Sequence, residues 1–304
     1  MPEVLAAVSP KSRPTYGKGL RALEHSFGDL PLDEVRLTHL TRLRDEMRRE
    51  VGEAKVNRAR RTGRQLRAYD PDAHGKGAAE NTVRALRFFF RYAHDAGLIQ
   101  VSPALGLQAP RRPPAPERAL EEHELTAIWI AGVGTSRDPE LDELLLSTLR
   151  HTAARREGTI NLCLGHLDLA ERAISLTEKN GETRRLPLTA ALLTSLDAFA
   201  RTRGATQPHD AVLRYRDGRA LTRRHFNSLF DRIDRHLGWT EPLDVGAHWI
   251  RHTTLTDIAA VSGIRVAAAF AGHAPSSVGV IGRYVQVTFG DLADAYEAVF
   301  GPRG

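Results

Sequence analysis

His248 and Arg251 stand three residues apart, so on a helix both would project from one face; an ordinary surface pair is the competing reading. His248 and His252 are four apart, as two zinc ligands on a helix are, but Trp249 occupies the place where a metalloprotease helix needs its glutamate. Cys163 is the single cysteine, so no thiolate cluster completes a metal site, and neither a metal nor another cofactor is expected. No Gly-rich Walker loop and no Gly-x-Ser-x-Gly elbow occurs, which leaves nucleotide hydrolysis and serine esterase chemistry without support. Arg155, Lys179, His273 and Tyr284 are further polar candidates, each ordinary when taken alone.

The elements that would carry these residues are legible from periodicity. Leu141, Leu144, Leu145 and Leu149 build a helix that runs into His151-Thr-Ala-Ala-Arg-Arg156. Residues 173–178 and 183–188 alternate around Asn180-Gly181, a strong hairpin signal that puts Lys179 at a tip. A helix from Thr189 to about Gly204 follows, burying Leu192, Leu193, Leu196 and Phe199. A second short hairpin is expected over Ala211 to Tyr215 with a turn at Asp217-Gly218, then a helix capped by Thr222 and ending at Gly238. From His248 onward the pattern predicts several short helices punctuated by Gly263, Gly272 and Gly290.

The first part of the chain shows no strand pattern. Leu40, Leu43, Met47 and Val51 mark one helix, and Val83, Leu86, Phe90 and Ala93 another, with Asn81 as its N-cap and Gly97 as its stop. Between them a basic run, residues 57–67, and a turn-rich stretch, residues 69–77, read as a phosphate-contacting loop or simply a solvated one. Four prolines, at 110, 113, 114 and 116, forbid helix and mark a linker. The fold class is therefore mainly α with a small β component: a helical domain over 1–108, a linker over 109–118 and a mixed α+β domain over 119–304.

The chain has 304 residues and a formal net charge of +6. Residues 1–118 hold 22 Lys and Arg against 14 Asp and Glu, a net of +8, while the rest carries −2. The positive excess thus lies where a nucleic-acid clamp would be sought. With 41% hydrophobic residues, disorder over most of the chain is excluded. No stretch reaches the apolar length a membrane span needs, and the N-terminus lacks a signal-peptide pattern, so a cytoplasmic protein is expected.

The order of the polar residues is what carries chemistry. Thr152-Ala-Ala-Arg155, Lys179 beside Asn180-Gly181, His248-Trp-Ile-Arg251-His-Thr, Gly272-His273 and Arg283-Tyr284 resemble, in that order, the motifs of the tyrosine recombinase (phage integrase) family. Residues 81–104 resemble the end of its core-binding domain. The resemblance implies a site-specific recombinase that acts on double-stranded DNA without metal or ATP. Arg155 and Arg251 would hold the non-bridging phosphate oxygens, and Tyr284 would attack phosphorus to form a 3′-phosphotyrosyl bond. His248 would take the phenol proton, His273 would hydrogen-bond the phosphate, and Lys179 would protonate the leaving 5′-oxygen. It further implies a core-binding domain, a catalytic domain, and a homotetramer around two DNA sites. The amphipathic set Leu292, Tyr296, Val299 and Phe300 would dock on a neighbouring protomer.

The sequence departs from that family pattern in several places. Ala153 stands where glycine is usual, and Gly158 where a supporting glutamate is usual, with Glu157 one place early. The interval from His273 to Tyr284 is two residues longer than the commonest one, and Trp249 replaces a smaller or acidic residue. A monomeric relaxing enzyme like the type IB topoisomerases, or a DNA-binding protein with a decayed site, are the alternatives.

Overall fold

In a computed structural model of the chain, residues 2–10, 12–61, 75–110, 118–177, 181, 183–273 and 286–304 are described. They divide into two units, Met1–Ala115 and Pro116–Gly304.

The first unit is helical: α1 (Pro2–Ala6), α2 (Arg13–Phe27), α3 (Leu37–Arg61) and α4 (Lys76–Asp95). Leu40, Leu43, Met47, Val83, Leu86, Phe90 and Ala93 meet in its core, as their spacing requires. Helices α2 and α4 approach closely at Gly19, where an added Cβ would lie 3.0 Å from that of Ala85. Two expectations change. Asn81 lies inside α4 rather than capping it, because the preceding Ala78 and Ala79 are good helix formers and Ala79 is buried. The basic run is not wholly loop, since α3 continues to Arg61; residues 62–74 lie outside the described set. Gly97, at φ 72°, ends α4 as expected, with Leu98 N–H donating to Ala93 O at 2.9 Å.

The second unit begins with α5 (Glu122–Gly134), α6 (Pro139–Thr152) and the short α7 (Arg156–Ile160). A three-stranded antiparallel sheet follows in the order β1 (Leu167–Asp168), β2 (Ala173–Thr177), β3 (Thr183–Pro187). The register pairs Ala173 with Pro187 and Thr177 with Thr183. Next come α8 (Ala190–Thr202), α9 (Arg223–Leu237), α10 (Thr240–Leu243), α11 (Ala247–Phe270) and α12 (Phe289–Phe300). The Thr189 hydroxyl caps α8 by accepting from Leu192 N–H. One core joins the leucines of α6, the strands, α8, α9 and α11.

Three differences from the sequence expectation are physical. The second hairpin is shorter than expected: Tyr215 N–H donates to Arg219 O at 2.8 Å, Leu221 N–H donates to Leu213 O at 2.9 Å, and a single antiparallel bridge joins Arg214 to Ala220. The start of that segment pairs elsewhere, Val212 N–H donating to Leu162 O, so no ladder extends. After His248 the helical run Ala247–Phe270 is broken at Gly263 (φ 82°, ψ 163°) into two segments, as the sequence expectation has it and as the bond from Arg251 to Ala271 O, 20 residues on, requires, whereas Gly290 lies inside α12 rather than between helices. By length and composition α11 is apolar enough to cross a bilayer, contrary to the sequence reading, yet Ile250, Arg251, Thr253, Thr254 and Ile258 are buried in this unit. Finally, Leu292, Tyr296, Val299 and Phe300 pack on this chain's own core, so the stripe expected to dock on a neighbour is occupied within the chain. Removing 290–304 would therefore unseat core residues before it touched assembly.

Candidate active site

The turn before Arg155 is built by α6. Its last residue, Thr152, turns its hydroxyl back to Thr148 O and accepts from Ala154 N–H at 3.2 Å. Ala153 then adopts a left-handed conformation (φ 48°, ψ 33°) with its side chain fully buried. A glycine there would relieve backbone strain but lose a buried methyl, so Ala153→Gly is expected to change stability by less than about 1 kcal/mol. Ala153→Val puts a β-branched residue at positive φ in a filled core, and a loss of at least about 2 kcal/mol is expected in denaturant titration. Arg155 follows as the N-cap of α7, half-buried.

Arg251 rises from the second turn of α11 and is 4% exposed. One Nη donates to Ala153 O and the other to Ala271 O at 2.9 Å. The turn bearing Arg155 and the segment leading to His273 are thereby tied to one guanidinium. His248 is exposed in the first turn of the same helix, three residues before Arg251, and His273 is exposed just past the helix end. Lys179 and Tyr284 lie outside the described residues.

A second guanidinium was missed by motif reading. Arg184 donates to Phe270 O and, at 3.2 Å, to Ala153 O, and is 9% exposed. Strand alternation held the signal, because Arg184 and Leu186 share the inward face of β3 while Thr183 and Arg185 point out. Gly272 packs over this side chain at φ 69°, and a Cβ would lie 2.8 Å from Arg184 Cδ. Glycine is thus required there for both backbone and space.

The departures find local explanations. An added Cβ at Gly158 would meet only Thr177 O at 3.7 Å, so bulk does not exclude a side chain. Glu157 instead reaches α9 and accepts from Arg223 at 2.7 Å. Burial pushes its carboxyl up, but the bonds from Arg223 and Arg156 outweigh this and hold it below its usual range. Trp249 is half-buried against the core.

Behind the Arg155 turn, α6 is locked to α11 and α12. Arg150 donates to Thr254 Oγ1 at 3.1 Å and pairs with Asp257 at 2.7 Å, while Thr254 Oγ1 donates to Arg150 O at 2.6 Å. His151 Nδ1 and Tyr296 Oη share a hydrogen bond at 2.6 Å, and Tyr296 Oη also accepts from Thr189 N–H at 3.2 Å. The ring stacks on Phe300 at 4.4 Å. Burial, reinforced by Arg150, pushes the His151 pKa from 6.5 down to about 4, and burial pushes the Tyr296 phenol up to about 12. Because the folded-state value is depressed, the neutral ring stabilises the fold above pH 6.5 and that contribution is lost as pH falls toward 4. The shift corresponds to roughly 3 kcal/mol, so melting temperature is expected to fall steeply between these pH values in the wild type and much less in His151→Phe.

The family model described as "Phage integrase family" matches residues 118–290. The chain is similar to tyrosine recombinase XerC of Alcanivorax borkumensis, 26% identical over 243 residues, which covers 76% of this chain and 77% of that protein. Its fold is that of lambda integrase (75-356), solved as a dimer bound to a COC' core site, at TM-score 0.65 and 13% identity over 94% of this chain and 95% of that 75-356 chain. A lambda integrase tetramer bound to a Holliday junction gives TM-score 0.64 and 12% identity over 90% and 74%.

Proposed function

Because the chain belongs to the phage integrase family, and is a tyrosine-type site-specific recombinase that breaks and rejoins DNA strands, we propose a specific division of labour among its residues. Arg155 and Arg251 hold the non-bridging oxygens of the scissile phosphate, where charge grows as the nucleophile attacks, and His273 donates a further hydrogen bond. Tyr284 Oη attacks phosphorus, its proton passes to His248, and a 3′-phosphotyrosyl bond replaces the broken ester. Lys179 protonates the departing 5′-oxygen. The phosphotyrosyl ester retains the energy of the broken bond, so the returning 5′-hydroxyl reseals the strand by the reverse steps. The observation that supports this most is the meeting of the Arg155 turn and the segment before His273 on the Arg251 guanidinium.

The basic first unit, with Arg42, Arg84 and Arg91 exposed on α3 and α4, supplies sequence-independent phosphate contacts. Four protomers act on two DNA sites, as the tetrameric state of lambda integrase on a Holliday junction suggests. The test is incubation with nicked DNA carrying the chain's own site, followed by a denaturing gel for a covalent adduct. Absence of an adduct sinks the reading. Exchange between two sites distinguishes recombination from relaxation of a single circle.

A further inference from the structure

Helices α6 and α11 both end at the candidate site, and both ends leave backbone carbonyls without partners inside their helix. Ala153 follows α6, and Phe270 and Ala271 close α11. The negative ends of two helix dipoles therefore converge where an anionic phosphate would have to bind. Two arginines meet them. Arg251 takes Ala153 O and Ala271 O, whereas Arg184, reaching in from β3, takes Ala153 O and Phe270 O. Adjacent carbonyls of α11 thus go to different guanidiniums, and both guanidiniums share the carbonyl of Ala153.

We propose that Arg184 is a positioning residue for strand cleavage, a role that rests on the division of labour proposed above. Its fork staples the ends of α6 and α11 to the sheet and neutralises their dipoles. Arg155, two residues past Ala153, and His273, three past Phe270, are thereby presented together. A second positive charge at the helix ends leaves the field of Arg251 available to the phosphate rather than consumed by the carbonyls. Only a planar fork serves this purpose, since the two acceptors lie on different elements and a lysine ammonium is a point donor.

Single-turnover cleavage of a nicked substrate tests it in wild type, Arg184→Lys and Arg184→Met, alongside DNA affinity and melting temperature. The expected result is a rate constant reduced about 100-fold in Arg184→Lys and further in Arg184→Met, with Kd for DNA within about twofold of wild type. The reacting fraction should stay near that of wild type in Arg184→Lys. A methylphosphonate at the scissile position removes the negative charge, and on that substrate the Arg184→Lys defect should shrink to less than about tenfold. A defect of equal size on both substrates, or one seen only as a smaller reacting fraction with a lowered melting temperature, overturns the role. Cleavage by the wild type with an unchanged rate in Arg184→Lys overturns the role of Arg184 alone. No cleavage by the wild type overturns the recombinase reading, and the role falls with it.

Discussion

Tyr284→Phe is expected to abolish the covalent protein–DNA adduct, by a factor on the order of 10⁴ or more, while binding of duplex DNA continues. The substitution removes one oxygen and keeps the ring, so it deletes the proposed nucleophile and little else. Position in the motif order distinguishes this tyrosine from the others, since it follows Gly272-His273. Tyr296, the other tyrosine after that pair, is fully buried, bonded to His151 and Thr189, and raised to about 12, which removes it as a competitor. An adduct that persists in Tyr284→Phe at the wild-type rate would assign the nucleophile elsewhere.

Arg251→Lys should lower the cleavage rate by about 10²–10³-fold, the scale on which removing one preorganised donor acts. It is also expected to destabilise the second unit, because one ammonium cannot serve both Ala153 O and Ala271 O; Ala153 O keeps its bond from Arg184, but loss of the donor to Ala271 O costs about 1–3 kcal/mol. The two effects separate in a cleavage assay at low temperature, where the folded fraction recovers and the rate defect remains. A variant restored to the wild-type rate by cooling would show that Arg251 serves the fold only.

Much of this was legible in the sequence because it depends on local rules. Leucine spacing fixed α6 and α8, Asn180-Gly181 marked the β2–β3 connection, and Thr189 and Thr222 stand at the starts of their helices. What escaped depends on long-range contacts. The inward turn of Arg184 has meaning only when the ends of α6 and α11 lie against β3, and no spacing rule reports that. The burial of Tyr296 was half visible, as helical periodicity marked a packing residue without saying that its hydroxyl would fasten His151 and Thr189. The break at Gly263, by contrast, was legible, since the backbone there leaves helical geometry as the glycine signalled.

The clasp of two arginines on three carbonyls also sets an order of events during synthesis and folding. Three of its four bonds join residues 31, 86 and 98 positions apart, so each of these closes a large loop, while the fourth, from Arg251 to Ala271, spans 20 positions and forms when the chain turns back at Gly263. The emerging chain can complete α6 and the hairpin early, yet the clasp awaits α11, synthesised some hundred residues after the Arg155 turn. A truncated or half-folded product that still carries the basic first unit would hold DNA without an assembled phosphate site. DNA cleavage is thereby reserved for molecules that have finished folding.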